Sequence, residues 1–444
     1  MTPSAPALHA PVRQPRIDAW RRDRPALVAF ARQPWGEAWR RGQHLLSRLS
    51  ADYDVHVVEP AVHDPGAEPH LQVREPIPGV RALSPHIPTA DAAGSPEHLA
   101  ALQPLLADYC AENGVLEPLV WFETPSALPL AADLDPVAMI YDCGDDPAAL
   151  EPDPALAAAV RAHEDALMGA ADLVLAGGPS LYEACRARHP AVHCLPDAVD
   201  ATHFAPARLT ELALANSAEA AHARALHATL PRPRLGYAGP IDARLDLALV
   251  QALAERRPEW QFLMAGPVTG IDPATLPRRQ NLHWLGEQPD TALPHLQAQW
   301  DVCLLPYVLD ERTRCFSPGA TLGYLAADRP VVATPVADVV GLYGHVVRVA
   351  GDLDAFTAAC AAALAEQGDE RRSRSEQSRR IASACTWDVS AARVRALLAP
   401  WLPQPPMARE DEALGERLAA MVAARRAQAQ VMAASAASAV VPGA

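Results

Sequence analysis

Short runs rich in β-branched and aromatic residues recur along this chain every 20 to 40 residues, with helical stretches between them. A first set is ALVAFA (26–31), VHVVE (55–59), LVWFE (119–123), VAMIYD (137–142), DLVLAG (172–177) and VHCLP (192–196). A second set is RLGYAG (234–239), WQFLMAG (260–266), LHWLG (282–286), DVCLLP (301–306), PVVATP (330–335) and HVVRV (345–349). Near-continuous apolar strands alternating with amphipathic helices build parallel sheets covered on both faces. The polar, alanine-rich stretch 206–231 separates the two sets and reads as a linker helix. A chain of 444 residues is too long for one core. The expected fold class is therefore α/β, with two doubly wound domains over 25–205 and 232–386. Ligands are expected at the carboxyl ends of the strands.

Composition narrows the function classes. No window reaches the ~18–20 uninterrupted apolar residues of a membrane span. The first 25 residues hold no apolar core ahead of a cleavage site, so no secretory signal is expected. Eight cysteines without a C-x-x-C pair argue against a zinc ribbon and a disulfide framework, and point to a reducing cytoplasm. A net charge of −15 argues against nucleic acid as a partner. The balance is uneven, because the first 50 residues carry nine arginines against three acids. With Trp20, Trp35 and Trp39, this end suits peripheral contact with a lipid headgroup surface or an anionic acceptor; a solvated arm (1–24) leading to an ordinary helix face is the plainer reading. From PQPPMARED onward the tail (403–444) is low in complexity, and a frayed helix or disorder is expected there.

Several strands end in glycine: Gly239, Gly266, Gly286 and the pair Gly177-Gly178. Four such ends suggest a cleft lined by backbone amides, although packing alone accounts for each singly. The loop from Gly239 to Asp246 holds one cation, Arg244, which either grips a diphosphate as a fork or pairs on the surface with Asp242 or Asp246. In CFSPGATLGYLAADRPVVATP (315–335), Ser317 is expected to cap a helix with Pro318 at its first position and the amides of Gly319, Ala320 and Thr321 free. Such an end favours an anion, or is simply a well-capped packing helix. Upstream, LDERTR (309–314) places Glu311, Arg312 and Arg314 within reach of the same cleft. In the first half, Glu123 and Asp145 stand beyond strand ends, as cleft carboxylates or as bystanders, while Asp146 before Pro147 reads as a helix N-cap.

Several stretches match a known family in order: RRGQHLLSRL (40–49), WFETPSALP (121–129), YDCGDD (141–146), the run ADLVLAGGPS to DAVDATHF (171–204), GYAGPIDARLDL (236–247), AGPV (265–268), NLHWLG (281–286) and SPGATLGYLAADRPVVATPVADVV (317–340). Together they resemble GT-B glycosyltransferases of the retaining family 4 type, especially bacterial teichuronic-acid and surface-polysaccharide transferases, over residues 26 to 400. The resemblance implies two Rossmann-like domains facing across a cleft, with a last helix (387–402) crossing back to the first domain. It implies transfer of a sugar with retention from a nucleotide-diphosphate sugar to a glycan or lipid-linked acceptor, without a metal or other cofactor. The donor diphosphate would lie by Arg244 and the amides of Gly319, Ala320 and Thr321, beside Ser317. The nucleoside would lie by Gly239, Gly266, Pro267, Trp284, Leu285, Gly286 and Glu311.

The departures matter as much. The family's S-P-x-K-x-x-E-Y pattern has a lysine for the diphosphate and a glutamate for the ribose; here those positions are Ala320 and Gly323. The family's A-A-G-[KR]-P has Asp328 for glycine, and its R-P-Q-H is Arg41-Gly42-Gln43-His44. An active enzyme would need Arg312 or Arg314 in place of the lysine. The alternatives are a degenerate GT-B protein that binds or scaffolds an active transferase, and a nucleotide-sugar epimerase of the same architecture. No strand is followed by G-x-G-x-x-G, which disfavours a dinucleotide oxidoreductase.

Overall fold

The structure is a computed structural model that describes residues 24–36, 39–88, 94–151, 153–208 and 217–402. The expected basic arm lies outside these residues except for Arg24, which donates to the Ser50 carbonyl at 2.7 Å. The tail 403–444 lies outside them entirely. The chain divides into two compact units, 1–399 and 400–444, and both sheets belong to the first.

The first sheet has nine strands: β1 (Ala26–Phe30), β2 (Asp54–Val58), β3 (Val62–His63), β4 (His70–Ile77), β5 (Val80–Ile87), β6 (Leu119–Phe122), β7 (Ala138–Cys143), β8 (Leu173–Ala176) and β9 (Val192–Cys194). They run in the order β3-β5-β2-β1-β6-β7-β8-β9, with β4 on β5. Every pairing is parallel except β4 with β5. Strands β1 and β6 are buried along their whole length because helices cover both faces, which is why they read as unbroken apolar runs. Strands β3, β4 and β5 are additions to the expected set. The β4 run HLQVREPI is largely exposed, so its apolar residues are too few to mark a strand.

The second sheet has six parallel strands: β10 (Arg234–Ala238), β11 (Gln261–Ala265), β12 (Leu282–Gly286), β13 (Val302–Leu305), β14 (Val331–Ala333) and β15 (Arg348–Val349), in the order β12-β11-β10-β13-β14-β15. All six fall within the second set of apolar runs. In each sheet the chain leaves a central strand on one side and returns on the other, at β1/β6 and at β10/β13. Such switch points open a crevice beyond the strand ends.

Between the sheets, helix Ala218–His227 packs with the second lobe: Ala223 joins its core, and Trp300 Nε1 donates to His227 Nε2 at 3.1 Å. The chain returns at Cys385–Thr386. There the Val199 amide donates to the Cys385 carbonyl at 2.9 Å, and Val199 pairs with Thr386 as a parallel bridge, so both crossings between the lobes meet at one place. Thr386 caps helix Trp387–Leu398, which lies on helix Arg41–Leu49 of the first lobe; Arg48 Nε donates to Asp388 at 2.7 Å. Asp328, in the family's glycine position, adopts the left-handed conformation at φ 58°. Its carboxylate accepts from Arg374 at 3.0 Å and Ser375 at 2.8 Å, contacts that hold a non-glycine residue there.

Candidate functional site

A cleft of about 680 Å³ opens at the carboxyl ends of β10, β11 and β13, facing helix Arg41–Leu49 of the first lobe. Gly239, Gly266 and Pro267 form part of the second-lobe wall. Gly266 has φ +150°, and a Cβ there would fall 1.8 Å from the Gly239 carbonyl oxygen. Only glycine lets the ends of β10 and β11 close to that distance and present their backbone.

Arg244 also lines this wall. Its Nε and Nη2 donate to Asp242, and its Nη1 donates to Asp145 Oδ2 of the first lobe at 3.0 Å. The guanidinium lies 4.4 Å from the Phe316 ring centroid. Burial pulls its pKa down, but the bonds to Asp242 and the charge of Asp145 outweigh that and hold it above the usual value. Arg244 thus pairs with Asp242, as one reading of the sequence had it, but largely buried and not on the surface, and it lines the cleft where the other reading would need it.

The turn after Phe316 departs from expectation. The helix runs from Ala320 to Ala326, and its N-cap is Gly319, not Ser317. Ser317-Pro318-Gly319 forms a tight turn in which the Thr321 amide donates to the Pro318 carbonyl at 3.1 Å, so that amide is not free. Thr321 is wholly buried, while Ser317, Gly319 and Ala320 line the cleft. A Cβ on Gly319 would lie 2.8 Å from Asp197 Oδ2, so a first-lobe carboxylate already rests against this turn.

Arg312 and Arg314 do not line the cleft. Arg312 closes onto Asp310 and Arg314 onto Glu311, because each acid lies two or three residues away on a 3-10 turn that points them outward. Glu311 is thereby an exposed partner of Arg314. Trp284, Leu285 and Gly286 also lie off the cleft, and Trp284 Nε1 donates to the Pro277 carbonyl at 3.0 Å. The next residues, Glu287 and Gln288, line it instead.

On the first-lobe side Asp145 lines the cleft, and Asp146 caps its helix by accepting from the Ala149 amide at 3.2 Å. Glu123 lies behind helix Arg41–Leu49, off the cleft. Its carboxylate accepts from the Arg32 amide at 3.1 Å, and a Cβ on Gly42 would fall 1.7 Å from its Oε1. Burial, with the nearby Asp142 charge, pushes its pKa up to about 7.

Three groups here were not among the expected site residues. Arg41 lies between two acids: its Nε donates to Asp142 Oδ1 at 2.9 Å, and its Nη1 lies 3.4 Å from Asp197 and donates to the Leu195 carbonyl at 2.7 Å. Burial raises the carboxyl pKa of Asp142 and of Asp197, and Arg41 opposes that rise. His44 stacks on Trp387, ring centroids 4.8 Å apart, and meets Trp39 edge-on, forming an aromatic wall. Burial and the Arg48 charge hold its pKa down to about 4, so it is neutral at neutral pH. Phe204 covers Gly323, where a Cβ would sit 3.0 Å from the ring, so an aromatic edge fills the family's glutamate position. The signal for these residues lay in RRGQHLLSRL and in LPDAVDATHF, two of the stretches that carry the resemblance.

Residues 232–366 match the family described as Glycosyl transferases group 1. That group 1 region carries the β10–β15 sheet, Arg244 and the 317–320 turn. The chain is also 32% identical over 161 residues to the putative teichuronic acid biosynthesis glycosyltransferase TuaH of Bacillus subtilis (strain 168). That alignment covers 35% of this chain and spans 40% of the relative's length. Among solved structures, sucrose-phosphate synthase from Thermosynechococcus elongatus superposes with a TM-score of 0.63 at 17% identity, covering 84% of this chain and 98% of that one. The UDP-forming trehalose-phosphate synthase from Burkholderia xenovorans, in complex with glucose-6-phosphate, gives 0.63 at 14% identity, covering 84% and 100%. These likenesses show the fold: two parallel-sheet α/β lobes of the GT-B type.

Proposed function

We propose that this protein is a glycosyltransferase that takes a nucleotide-diphosphate sugar in the cleft between its lobes. It passes the sugar, with retention, to a glycan or lipid-linked acceptor in cell-surface polysaccharide assembly. The observation that carries this reading is Arg244: a fixed cation at the β10/β13 switch point, beside the Gly239–Gly266 backbone and facing the 317–320 turn. A cation held at that place stabilises the negative charge that builds on a departing diphosphate, and its stabilisation grows as the bond breaks. For the diphosphate to reach Arg244, it must displace or share the Asp145 carboxylate. The nucleoside then lies along Gly266, Pro267, Glu287 and Gln288, with Phe204 against the ribose side. The sugar faces Arg41, Asp197 and the wall of Trp39, His44 and Trp387. No cofactor beyond the nucleotide sugar enters this reading.

Calorimetric titration with UDP, GDP and dTDP tests it. Binding of one of them is expected, and weakens in Arg244→Ala while the fold is kept. No binding of any at millimolar concentration overturns the transferase reading and leaves the degenerate GT-B partner. Among the described residues no helix is long and apolar enough to cross a membrane. Peripheral contact of the basic, tryptophan-bearing N-terminus with the cytoplasmic membrane face is part of the proposal. Salt-sensitive liposome flotation tests it, and no association at low salt removes it.

A further inference from the structure

The first sheet has its own switch point, between β1 and β6, and a second cavity of about 300 Å³ lies beyond it. None of its lining residues is shared with the interlobe cleft. Its floor is apolar and buried: Phe30 at the end of β1, Val58 at the end of β2, Ile87 at the end of β5, and Leu102, Ala127 and Leu130 from the flanking helical segments. Its rim is polar, with Arg32, His63, Thr124 and Ser126.

The rim carries a cation, Arg32, whose amide donates to the neighbouring Glu123 carboxylate. The acid in the lining is Glu59, and its carboxylate is already used by the Trp35 amide at 2.6 Å, by Ser84 and by Arg74. Arg32 donates from its Nη2 to the Glu123 carbonyl at 3.3 Å and makes no side-chain ion pair among the described residues. A free sugar fits this cavity badly, because its hydroxyls would meet six apolar side chains without hydrogen-bond partners. An inorganic anion would leave the floor uncovered. An apolar chain with an anionic head satisfies both parts. A methylene fills about the ~30 Å³ that a water occupies in liquid, so about ten carbons fill the cavity.

We propose that this cavity holds the tail of a single-chain anionic amphiphile, an alkyl or isoprenoid phosphate, with its phosphate at Arg32. This rests on the transferase reading in taking that amphiphile as the lipid part of the acceptor. The route between the two sites is short. The Arg32 amide donates to Glu123, and Glu123 lies against Gly42 at the start of the helix that walls the cleft.

The test is calorimetry on the full chain with butyl, hexyl, octyl and decyl phosphate below their micelle concentrations, alongside inorganic phosphate and UDP. Affinity is expected to rise about fourfold per added methylene and to level off near ten carbons. Arg32→Gln is expected to weaken every alkyl phosphate about tenfold or more while keeping the chain-length trend. Ala127→Phe, which fills the floor, is expected to abolish that trend, and neither substitution is expected to alter UDP binding. Undetectable octyl phosphate binding, affinity independent of chain length, or an unchanged Arg32→Gln profile overturns the proposal. So does a trend that survives in folded Ala127→Phe; if that variant does not fold, the series and Arg32→Gln decide. Alkyl phosphate binding without UDP binding sinks the transferase reading and leaves the amphiphile site, and the reverse result does the opposite.

Discussion

Arg244 Nη1 and Asp145 Oδ2 stand 3.0 Å apart across the cleft, so the cation facing the cleft from the second lobe is held by a carboxylate from the first. A donor diphosphate and Asp145 compete for the same guanidinium. Arg244→Ala is expected to weaken UDP binding about 10- to 150-fold, the worth of one charge-assisted contact. Asp145→Asn removes a competitor and is expected to tighten it several-fold. Weaker binding in Asp145→Asn, measured by calorimetry, would show that the carboxylate helps the donor.

Arg312→Ala and Arg314→Ala are expected to leave nucleotide affinity within about twofold of wild type, because both guanidinia close onto Asp310 and Glu311 outside the cleft. Stability should move by no more than about 0.5 kcal/mol for each, as befits exposed pairs. A large loss of affinity in either variant would mean that the loop folds inward when nucleotide binds.

Gly42→Ala puts a methyl where the Glu123 carboxylate already is, at 1.7 Å. Either the buried Glu123 side chain or the start of the helix has to shift, which is expected to destabilise the protein by about 1–3 kcal/mol in urea unfolding. Glu123→Ala in the same chain should return part of that loss. A double-mutant cycle without coupling between the two sites would contradict the contact.

His44 titrates near 4 when folded, against an ordinary 6.5. The unfolded chain therefore binds the proton first as pH falls, and the stability present above pH 6.5 is lost on the way down through 4. The loss should be about 2–3 kcal/mol at pH 4.5. His44→Gln is expected to flatten this part of the profile, and a wild-type slope in that variant would assign the titration elsewhere.

Glu123 has the opposite sign. Its folded pKa near 7 lies above the ordinary 4.5, so its contribution is present in full below pH 4.5 and is lost as pH rises through 7. Glu123→Gln should therefore gain about 2–3 kcal/mol on wild type between pH 5 and pH 8. Equal melting differences at both pH values would refute this.

The central strands were legible because β1, β6 and β13 are apolar and buried from end to end, and β10 and β11 are so after their first residue. The hairpin of β4 and β5 was not, since His70–Ile77 faces solvent along most of its length. Gly239 and Gly266 could be read from their places at strand ends, where close approach demands glycine. Arg41 could not. Its two carboxylates come from Asp142 and Asp197, 101 and 156 residues further on, and no local pattern announces such a meeting. The same distance effect hid Phe204 over Gly323. The 317–321 turn misled because Ser-Pro is a good helix opening in isolation, whereas here Gly319 must also admit Asp197 from the other lobe.

Because both strands of chain that join the lobes meet where Val199 bonds to Cys385, the molecule is bound along one spine, like a book. Swinging is then easier than sliding, and a rotation of a few degrees that barely disturbs the spine moves the far margins of the covers most. Arg244 and Asp145 sit on facing pages, so their bond is one fastener between the covers, and the Ser180 amide bonded to Asp338 at 2.9 Å is another.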